Sequence, residues 1–186
     1  MRNVLFFGDS LTAGYGLGDP ASQSFPALIG QKISAAGLQW HVINAGLSGD
    51  TSAGGLARID YWLSRPIDAF VLELGINDVL RQIPPASTQR NLQAIIDKVR
   101  SKYPTSRMAL MGMRLPDFLY SPLTTQFNSM YPALASVNRI VLAPFFLQGV
   151  AGKSNLNLRD KIHPSAEGYK IIAENVWPVI LNLLIG

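Results

Sequence analysis

Short apolar runs alternate with longer segments of helical period along this chain, and this alternation restricts its fold more than any other feature. Each run is rich in β-branched or aromatic residues and lacks a polar face, which is typical of strands covered by helices on both sides. We expect five strands, at Val4–Phe7, His41–Asn44, Ala69–Leu74, Met108–Met111 and Ile140–Ala143. Repeated βαβ units with right-handed crossovers predict an α/β fold: a three-layer α/β/α sandwich with a central five-stranded parallel sheet and flavodoxin-like strand order.

The segments between these runs predict the helices of the sandwich. We expect helices at Phe25–Ala36, Thr51–Ser64, Thr88–Tyr103 and Gln126–Ser136, and a last helix that begins after His163 and ends at Leu184. Pro164 suits the first turn of that last helix, and Pro178 predicts a kink or a restart within it. Because no long polar tract divides the chain, residues 1–186 are expected to form a single domain.

Composition excludes several classes of function. Hydrophobic residues make up 48% of the chain and charged residues 15%, which is too apolar for a disordered protein. No apolar run approaches the roughly 20 residues of a membrane-spanning helix, so no stable membrane insertion is expected. The absence of cysteine excludes disulfides, thiolate metal sites and a cysteine nucleophile. The 16 Lys and Arg residues are scattered rather than clustered, which argues against nucleic-acid binding.

The start of the chain bears on its compartment. It runs directly into the first expected strand, without the apolar stretch and small-residue cleavage site of a signal peptide. The chain as given therefore predicts a cytoplasmic protein, and a periplasmic or secreted one if a leader has been removed. The sequence predicts no particular oligomeric state.

Five residues from four separate loops are predicted to converge at one edge of the sheet. Ser10 follows the first strand, Gly46 the second and Asn77 the third, while the loop after the fifth strand leads to Asp160 and His163. The carboxyl ends of parallel strands share one edge, where ligands bind in open α/β sheets. The sequence therefore predicts a site with a hydroxyl, an imidazole, a carboxylate and hydrogen-bond donors close together.

This set of groups is what acyl transfer requires. A serine hydroxyl is a poor nucleophile and needs a base, for which imidazole has a suitable pKa. A neighbouring carboxylate fixes the imidazole tautomer and stabilises the imidazolium. We therefore predict Ser10 as nucleophile, His163 as base and Asp160 as its orienting group. The backbone N–H groups of Ser10 and Gly46 and the Asn77 carboxamide are the predicted oxyanion hole. No metal or organic cofactor is required.

Each residue taken alone also has a structural interpretation. Asp160 and His163 could simply be loop and cap residues before the last helix, and the glycines and Asn77 could serve only in turns. The other histidine, His41, lies within an expected strand and is interpreted as a strand residue. The catalytic interpretation rests on the combination, because four loops would have to place these groups together by coincidence.

Two other motifs fail on spacing. Ser48 superficially resembles a nucleophile elbow, but Asp50 stands where the second glycine is required, and Ser48–Thr51 is better interpreted as the cap of the next helix. Gly152–Ser154 suggests a phosphate-binding loop, but Leu147 replaces its first glycine. A flavodoxin-like binding module without catalysis remains the alternative from another class of protein.

Four stretches of the chain resemble the marker blocks of the SGNH (GDSL) hydrolases. The blocks are Gly8–Gly16, Asn44–Ser52, Leu72–Asp78 and Asp160–Pro164. The chain is most similar to the bacterial branch of thioesterase, lysophospholipase and arylesterase enzymes. The resemblance implies hydrolysis of small-molecule acyl or aryl esters, acyl thioesters and lysophospholipids, with the nucleophile at Ser10 and oxyanion donors at Gly46 and Asn77. A carbohydrate O-deacetylase of the same superfamily is the alternative hydrolase.

The residues around the predicted site favour an apolar substrate. The branch commonly has glycine where Ile76 and Lys161 stand, and Ile76 adds apolar bulk beside Asn77. We expect Leu11, Leu47, Ile76 and Met113 to contact substrate, and Val79, Leu80, Leu115 and Phe118 to lie on or near the same rim. Such a rim suits an acyl chain or an aryl group better than a sugar.

Overall fold

A five-stranded parallel sheet forms the centre of the computed structural model, which describes residues 2–116 and 121–186. The strands are β1 (Arg2–Gly8), β2 (Trp40–Gly46), β3 (Ala69–Glu73), β4 (Arg107–Met111) and β5 (Val141–Ala143). Their order is β2-β1-β3-β4-β5, and all neighbouring pairs are parallel. The predicted sheet and its flavodoxin-like order are confirmed. Phe118 lies outside the described residues.

Helices cover both faces of this sheet, as the sandwich requires. They are α1 (Ser10–Ala13), α2 (Pro20–Gln23), α3 (Phe25–Ala35), α4 (Ser52–Trp62), α5 (Ile76–Leu80), α6 (Pro85–Lys102), α7 (Pro122–Asn138) and α8 (Ala166–Ile185). α3 packs against α8, and α6 packs against α4 and α7. Among the described residues, none of the helices combines the length and the apolar character needed to span a membrane.

The prolines near the last helix differ from the prediction. α8 begins at Ala166 with Ser165 as its N-cap, so Pro164 lies outside the first turn. Pro164 instead forms an isolated antiparallel bridge with Asn157, which closes the loop before the helix. α8 continues through Pro178 without a restart. The short helices α1, α2 and α5 were not predicted, because a helix of one turn leaves no periodic pattern in the sequence.

The apolar strands are buried for the reason that their sequence suggests. Val4, Leu5, Phe6 and Phe7 are each 0% exposed, so both faces of β1 are covered. Burial of each such side chain stabilises the fold by roughly 1.5–3 kcal/mol. This gives the site a rigid support at the carboxyl end of the central strand.

Strand register decides where the catalytic loops begin. Gly8 at the end of β1 is level with Gly46 on one side and with Glu73 on the other. The chain therefore leaves β1, β2 and β3 at the same height, and the residues that follow emerge at one edge. This edge carries the site.

Candidate active site

Ser10 is the first residue of a one-turn helix at the end of β1. The preceding Asp9 is its N-cap, and the Asp9 Oδ1 accepts a hydrogen bond from the N–H of Leu11 at 2.9 Å. Gly14 ends the helix with φ 81°, a left-handed conformation that favours glycine. Ser10 is 6% exposed, and its own N–H has no acceptor among the described residues. Helix-start geometry thus leaves that N–H available to a ligand.

The loop that carries His163 is fixed by a local turn. Asp160 Oδ1 accepts hydrogen bonds from the backbone N–H groups of Ile162 at 2.9 Å and of His163 at 3.0 Å. Lys161, between them, has φ 61°. A glycine adopts this conformation freely, which gives a physical reason why glycine suits this position. The turn holds Asp160 and His163 in a fixed mutual orientation.

The structure brings the three predicted catalytic side chains into one hydrogen-bonded chain. His163 Nε2 lies 2.9 Å from Ser10 Oγ, and His163 Nδ1 lies 2.7 Å from Asp160 Oδ2. With Nδ1–H donating to the carboxylate, Nε2 is free to accept the serine proton. Backbone hydrogen bonding, above all from the His163 N–H, lowers the pKa of Asp160 to about 2, so this carboxyl is ionised at neutral pH. Tyr15 packs against the imidazole with ring centroids 4.7 Å apart.

Asn77 lies on α5, just after β3, and reaches across to two other loops. Its Nδ2 donates to the Asp50 carbonyl at 2.9 Å and to Asp9 Oδ2 at 3.0 Å. Both amide hydrogens therefore have protein acceptors in the resting structure. The next residue, Asp78, is fully buried and accepts hydrogen bonds from Ser52 and Thr88, which fixes α5 against α4 and α6.

Gly46 does not present the free N–H that the sequence interpretation required. Its N–H donates to Asn44 Oδ1 at 2.9 Å. A Cβ at this position would lie 2.2 Å from the backbone nitrogen of Ala13, so glycine is needed here to let α1 approach β2. The prediction of Gly46 as an oxyanion donor therefore needs revision.

Gly49, in the same loop, offers the donor that sequence reasoning missed. Among the described residues its N–H has no acceptor, and its φ is 80°. Arg81 Nη2 donates to its carbonyl at 2.7 Å, which fixes the peptide. The following residue, Asp50, is the one whose carbonyl binds Asn77. The signal in the sequence is a second glycine directly before Asp50 and the helix cap Thr51.

The predicted substrate contacts divide into accessible and buried residues. Leu47 is 52% exposed and Ile76 is half-buried, so both can meet a ligand. Leu11 and Met113 are only 1% and 2% exposed and belong to the core, which corrects their assignment as substrate contacts. Leu11 turns inward because successive residues of a helix point about 100° apart.

Ser48, the alternative nucleophile, lies in an exposed turn, and the imidazole of His163 is bonded to Ser10 instead. Thr51 rather than Ser48 caps α4, accepting the Gly54 N–H on its Oγ1. Within residues 2–116 and 121–186, no group of three or more His, Asp or Glu side chains is arranged to hold a metal ion.

Comparison with known proteins relates this chain to several curated esterases. It is 38% identical to "Esterase TesA" of Pseudomonas aeruginosa, an alignment covering 98% of this chain and 90% of that protein. It is 35% identical to "Arylesterase" of Vibrio mimicus, over 94% of this chain and 86% of that protein. It is 37% identical to "Thioesterase 1/protease 1/lysophospholipase L1" of Escherichia coli K12, over 92% of this chain and 79% of that protein.

Solved structures share the fold. The crystal structure of TesA superposes with a TM-score of 0.91 at 38% identity, covering 98% of this chain and 100% of that one. The psychrotrophic esterase EstA from Pseudoalteromonas, in a structure inhibited by monoethylphosphonate, gives a TM-score of 0.89 at 30% identity with full coverage of both chains. The model of the GDSL-like lipase/acylhydrolase family matches residues 6–171. The chain therefore belongs to the GDSL-like lipase/acylhydrolase family.

Proposed function

We propose that this protein is a serine esterase and thioesterase that hydrolyses carboxylic esters through an acyl-enzyme formed on Ser10. The observation that carries the proposal is the unbroken hydrogen-bonded chain from Asp160 through His163 to Ser10, with separations of 2.7 and 2.9 Å. The names of the relatives, which include esterase, arylesterase and thioesterase, support the same activity.

Acylation begins with a proton transfer to His163. Its Nε2 takes the Ser10 proton as Oγ attacks the carbonyl carbon of the ester. The ionised Asp160 stabilises the imidazolium that results. The attack forms a tetrahedral intermediate whose carbonyl oxygen carries the negative charge.

Three donors are available for that oxyanion. The N–H groups of Ser10 and Gly49 have no acceptor among the described residues, and the Asn77 carboxamide lies beside them. Because both Asn77 hydrogens are engaged at rest, one must be released to the oxyanion. Removal of one such donor typically lowers the rate by about a hundred- to a thousand-fold.

Collapse of the intermediate completes the cycle. His163 returns its proton to the leaving alcohol or thiol, and the C–O or C–S bond breaks to leave an acyl group on Ser10. Water then attacks the acyl carbon with His163 as base. The acid is released and Ser10 regains its proton.

The surroundings of the site support an apolar acyl or aryl group. A cleft beside α5 and α7 is lined by the apolar residues Val79, Ile83, Pro84, Leu115, Leu123 and Phe127. Leu47 and Leu80 are more than half exposed near the same edge. We extend the proposal to acyl thioesters and lysophospholipids, since the relative from E. coli carries both activities in its name.

A panel of substrates tests this proposal. Wild type, Ser10→Ala and Ser48→Ala are assayed on short and medium acyl p-nitrophenyl esters, an acyl thioester, a lysophospholipid and an acetylated sugar. We expect turnover of the esters and thioester by wild type and Ser48→Ala, and its loss in Ser10→Ala. Loss only in Ser48→Ala would overturn the nucleophile assignment. A preference for the acetylated sugar would favour a deacetylase, and no turnover by any protein would favour a binding module.

A further inference from the structure

Two buried carboxyl groups lie directly beneath the nucleophile, and the mechanism above uses neither as an acid or a base. Asp9, immediately before Ser10, is 0% exposed, and Glu73, the last residue of β3, is 1% exposed. The Asp9 N–H donates to Glu73 Oε2 at 3.3 Å, and the pKa of Asp9 is raised by burial and by a charge on Glu73. Two ionised carboxylates cannot share such a site without a large cost in free energy.

Asp9 uses both of its carboxyl oxygens as acceptors. Oδ1 accepts the N–H of Leu11 at 2.9 Å, and Oδ2 accepts Nδ2 of Asn77 at 3.0 Å. The first bond caps the helix of Ser10, and the second holds the side-chain donor of the oxyanion hole. A carboxylate serves both N–H groups, whereas a protonated carboxyl would turn a hydroxyl towards one of its other neighbours.

One of the two carboxyl oxygens of Glu73 receives no hydrogen bond from the described residues. Its Oε2 accepts the Thr12 hydroxyl at 2.8 Å and the Asp9 N–H at 3.3 Å. Its Oε1 is buried and has no N–H or hydroxyl partner among the described residues. The fit is tight, because a Cβ on Gly8 would lie 2.6 Å from Glu73 Oε2. The unpartnered oxygen is the natural place for a proton.

We propose that Glu73 and Asp9 are positioning residues that share one proton: Glu73 holds it, so that the pair carries a single negative charge, located on Asp9. That charge fixes the Ser10 helix and Asn77. A second charge, on Glu73, would add like-charge repulsion close to the forming oxyanion. The catalytic part of this inference rests on the proposed function, whereas the shared proton does not.

The hydrogen bonds above assign the proton to Glu73, and a neutral Glu73 also removes the negative charge that, besides burial, raises the pKa of Asp9. Burial, more than any other factor, raises the pKa of both groups, that of Glu73 to about 7. The titratable and charged side chains around the pair are His163, Asp78 on α5, Arg58 on α4, Tyr131 on α7 and Tyr169 on α8. Of these, His163 favours the ionised form of Asp9, while the two buried tyrosines are neutral hydrogen-bond donors to backbone carbonyls.

Unfolding as a function of pH tests the shared proton without any substrate. The folded-state pKa of Glu73 is raised, so its stabilising contribution is complete below the ordinary value of 4.5 and is lost as pH rises through about 7. Glu73→Gln keeps a side chain of nearly the same size but cannot ionise. We expect the unfolding constant of wild type, relative to Glu73→Gln, to rise by up to about tenfold per pH unit across this window.

The control for this measurement is Glu167→Gln, whose side chain is exposed and forms a salt bridge with Lys170. It should follow wild type at every pH. If wild type and Glu73→Gln have parallel pH dependences, the shared proton is refuted. Should Glu73→Gln fail to fold, the infrared band of a protonated carboxyl in wild type decides. Exposed carboxyls are fully ionised above about pH 6, so this band must persist there and vanish only on further titration.

Steady-state kinetics of the same variants provide a second test of the proposal. Between neutral and alkaline pH, kcat/KM of wild type on a p-nitrophenyl ester should fall relative to that of Glu73→Gln. Asp9→Asn should lose about a hundredfold in kcat, because Leu11 and Asn77 donate to different oxygens of Asp9 and an amide keeps only one of them as an acceptor. Equal losses of kcat in Glu73→Gln and Asp9→Asn, or a wild-type kcat in Asp9→Asn, would overturn the proposal. If no protein turns over any ester, the proposed function fails while the unfolding arm still tests the pair.

Discussion

Arg58 joins the segments that carry the catalytic loops, and its replacement by methionine should destabilise the protein strongly. Its Nε donates to Asp50 Oδ2 at 2.7 Å, its Nη1 to the Ala45 carbonyl and its Nη2 to the Gly8 carbonyl, both at 2.9 Å. The Arg58 side chain is 20% exposed and that of Asp50 only 5%. One guanidinium thus holds the ends of β1 and β2 and the loop before α4 together.

The magnitude follows from what the substitution would leave behind. Arg58→Met leaves the buried Asp50 carboxylate without a cation and two carbonyls without one of their donors. Breaking a buried ion pair by removing one partner typically costs about 3–5 kcal/mol. The guanidinium also lies 4.0 Å from the centre of the Phe7 ring, a contact that methionine replaces in part. We therefore expect a loss of about 3–5 kcal/mol in the free energy of unfolding.

Urea unfolding at neutral pH measures this loss, with Arg90→Met as the matched control. Arg90 is exposed and donates to the Ser87 hydroxyl, so its replacement should change stability by about 0.5 kcal/mol or less. A double-mutant cycle with Asp50→Asn should give a coupling energy of about 1–3 kcal/mol. If the free energy of unfolding of Arg58→Met lies within about 1 kcal/mol of that of wild type, or the coupling energy is near zero, the assigned role of this ion pair is refuted.

Four further predictions concern the loop of His163 and its neighbours. Tyr15→Leu should lower kcat/KM about 2- to 30-fold, because the aromatic ring that packs 4.7 Å from the imidazole stabilises the imidazolium cation. Tyr15→Phe keeps the ring and should retain activity. Equal kcat/KM values for the two variants would contradict this role. Asp160→Asn should lower kcat by about a thousand- to ten-thousand-fold without large loss of stability at neutral pH. In wild type the stability that Asp160 contributes should be lost only as pH falls from about 4 towards 2, since its folded pKa is lowered to about 2; thermal unfolding against pH, compared with Asp160→Asn, checks this. Lys161→Gly should raise stability by at most about 1 kcal/mol, because φ is 61° there, and a lower melting temperature would contradict the strain argument.

The sheet and the convergence of the catalytic residues could be predicted because both follow from periodicity and strand order. Apolar runs such as Val4–Phe7 identify strands buried on both faces, and parallel strands place Ser10, Asn77 and His163 at one edge. The hydrogen bond between Ser10 and His163 spans 153 residues, yet strand order alone predicted their proximity.

The donors of the oxyanion hole could not be assigned with the same success. Gly46 and Gly49 lie in one loop, and sequence spacing does not tell which N–H is already bonded. The side chain of Asn44 takes the Gly46 N–H, a contact that depends on the local path of β2. Leu11 was misassigned for a related reason, since proximity to the nucleophile in sequence does not decide which way a one-turn helix directs a side chain.

The central claim is that His163 activates Ser10 as a nucleophile, and covalent labelling with a reactive phosphonate tests it most directly. Intact-mass and peptide-mapping mass spectrometry should find one adduct, on Ser10, in wild type and in Ser48→Ala. Ser10→Ala should remain unlabelled, and His163→Ala should label far more slowly than wild type. An adduct on another residue, or labelling of Ser10→Ala at the rate of wild type, would contradict the account.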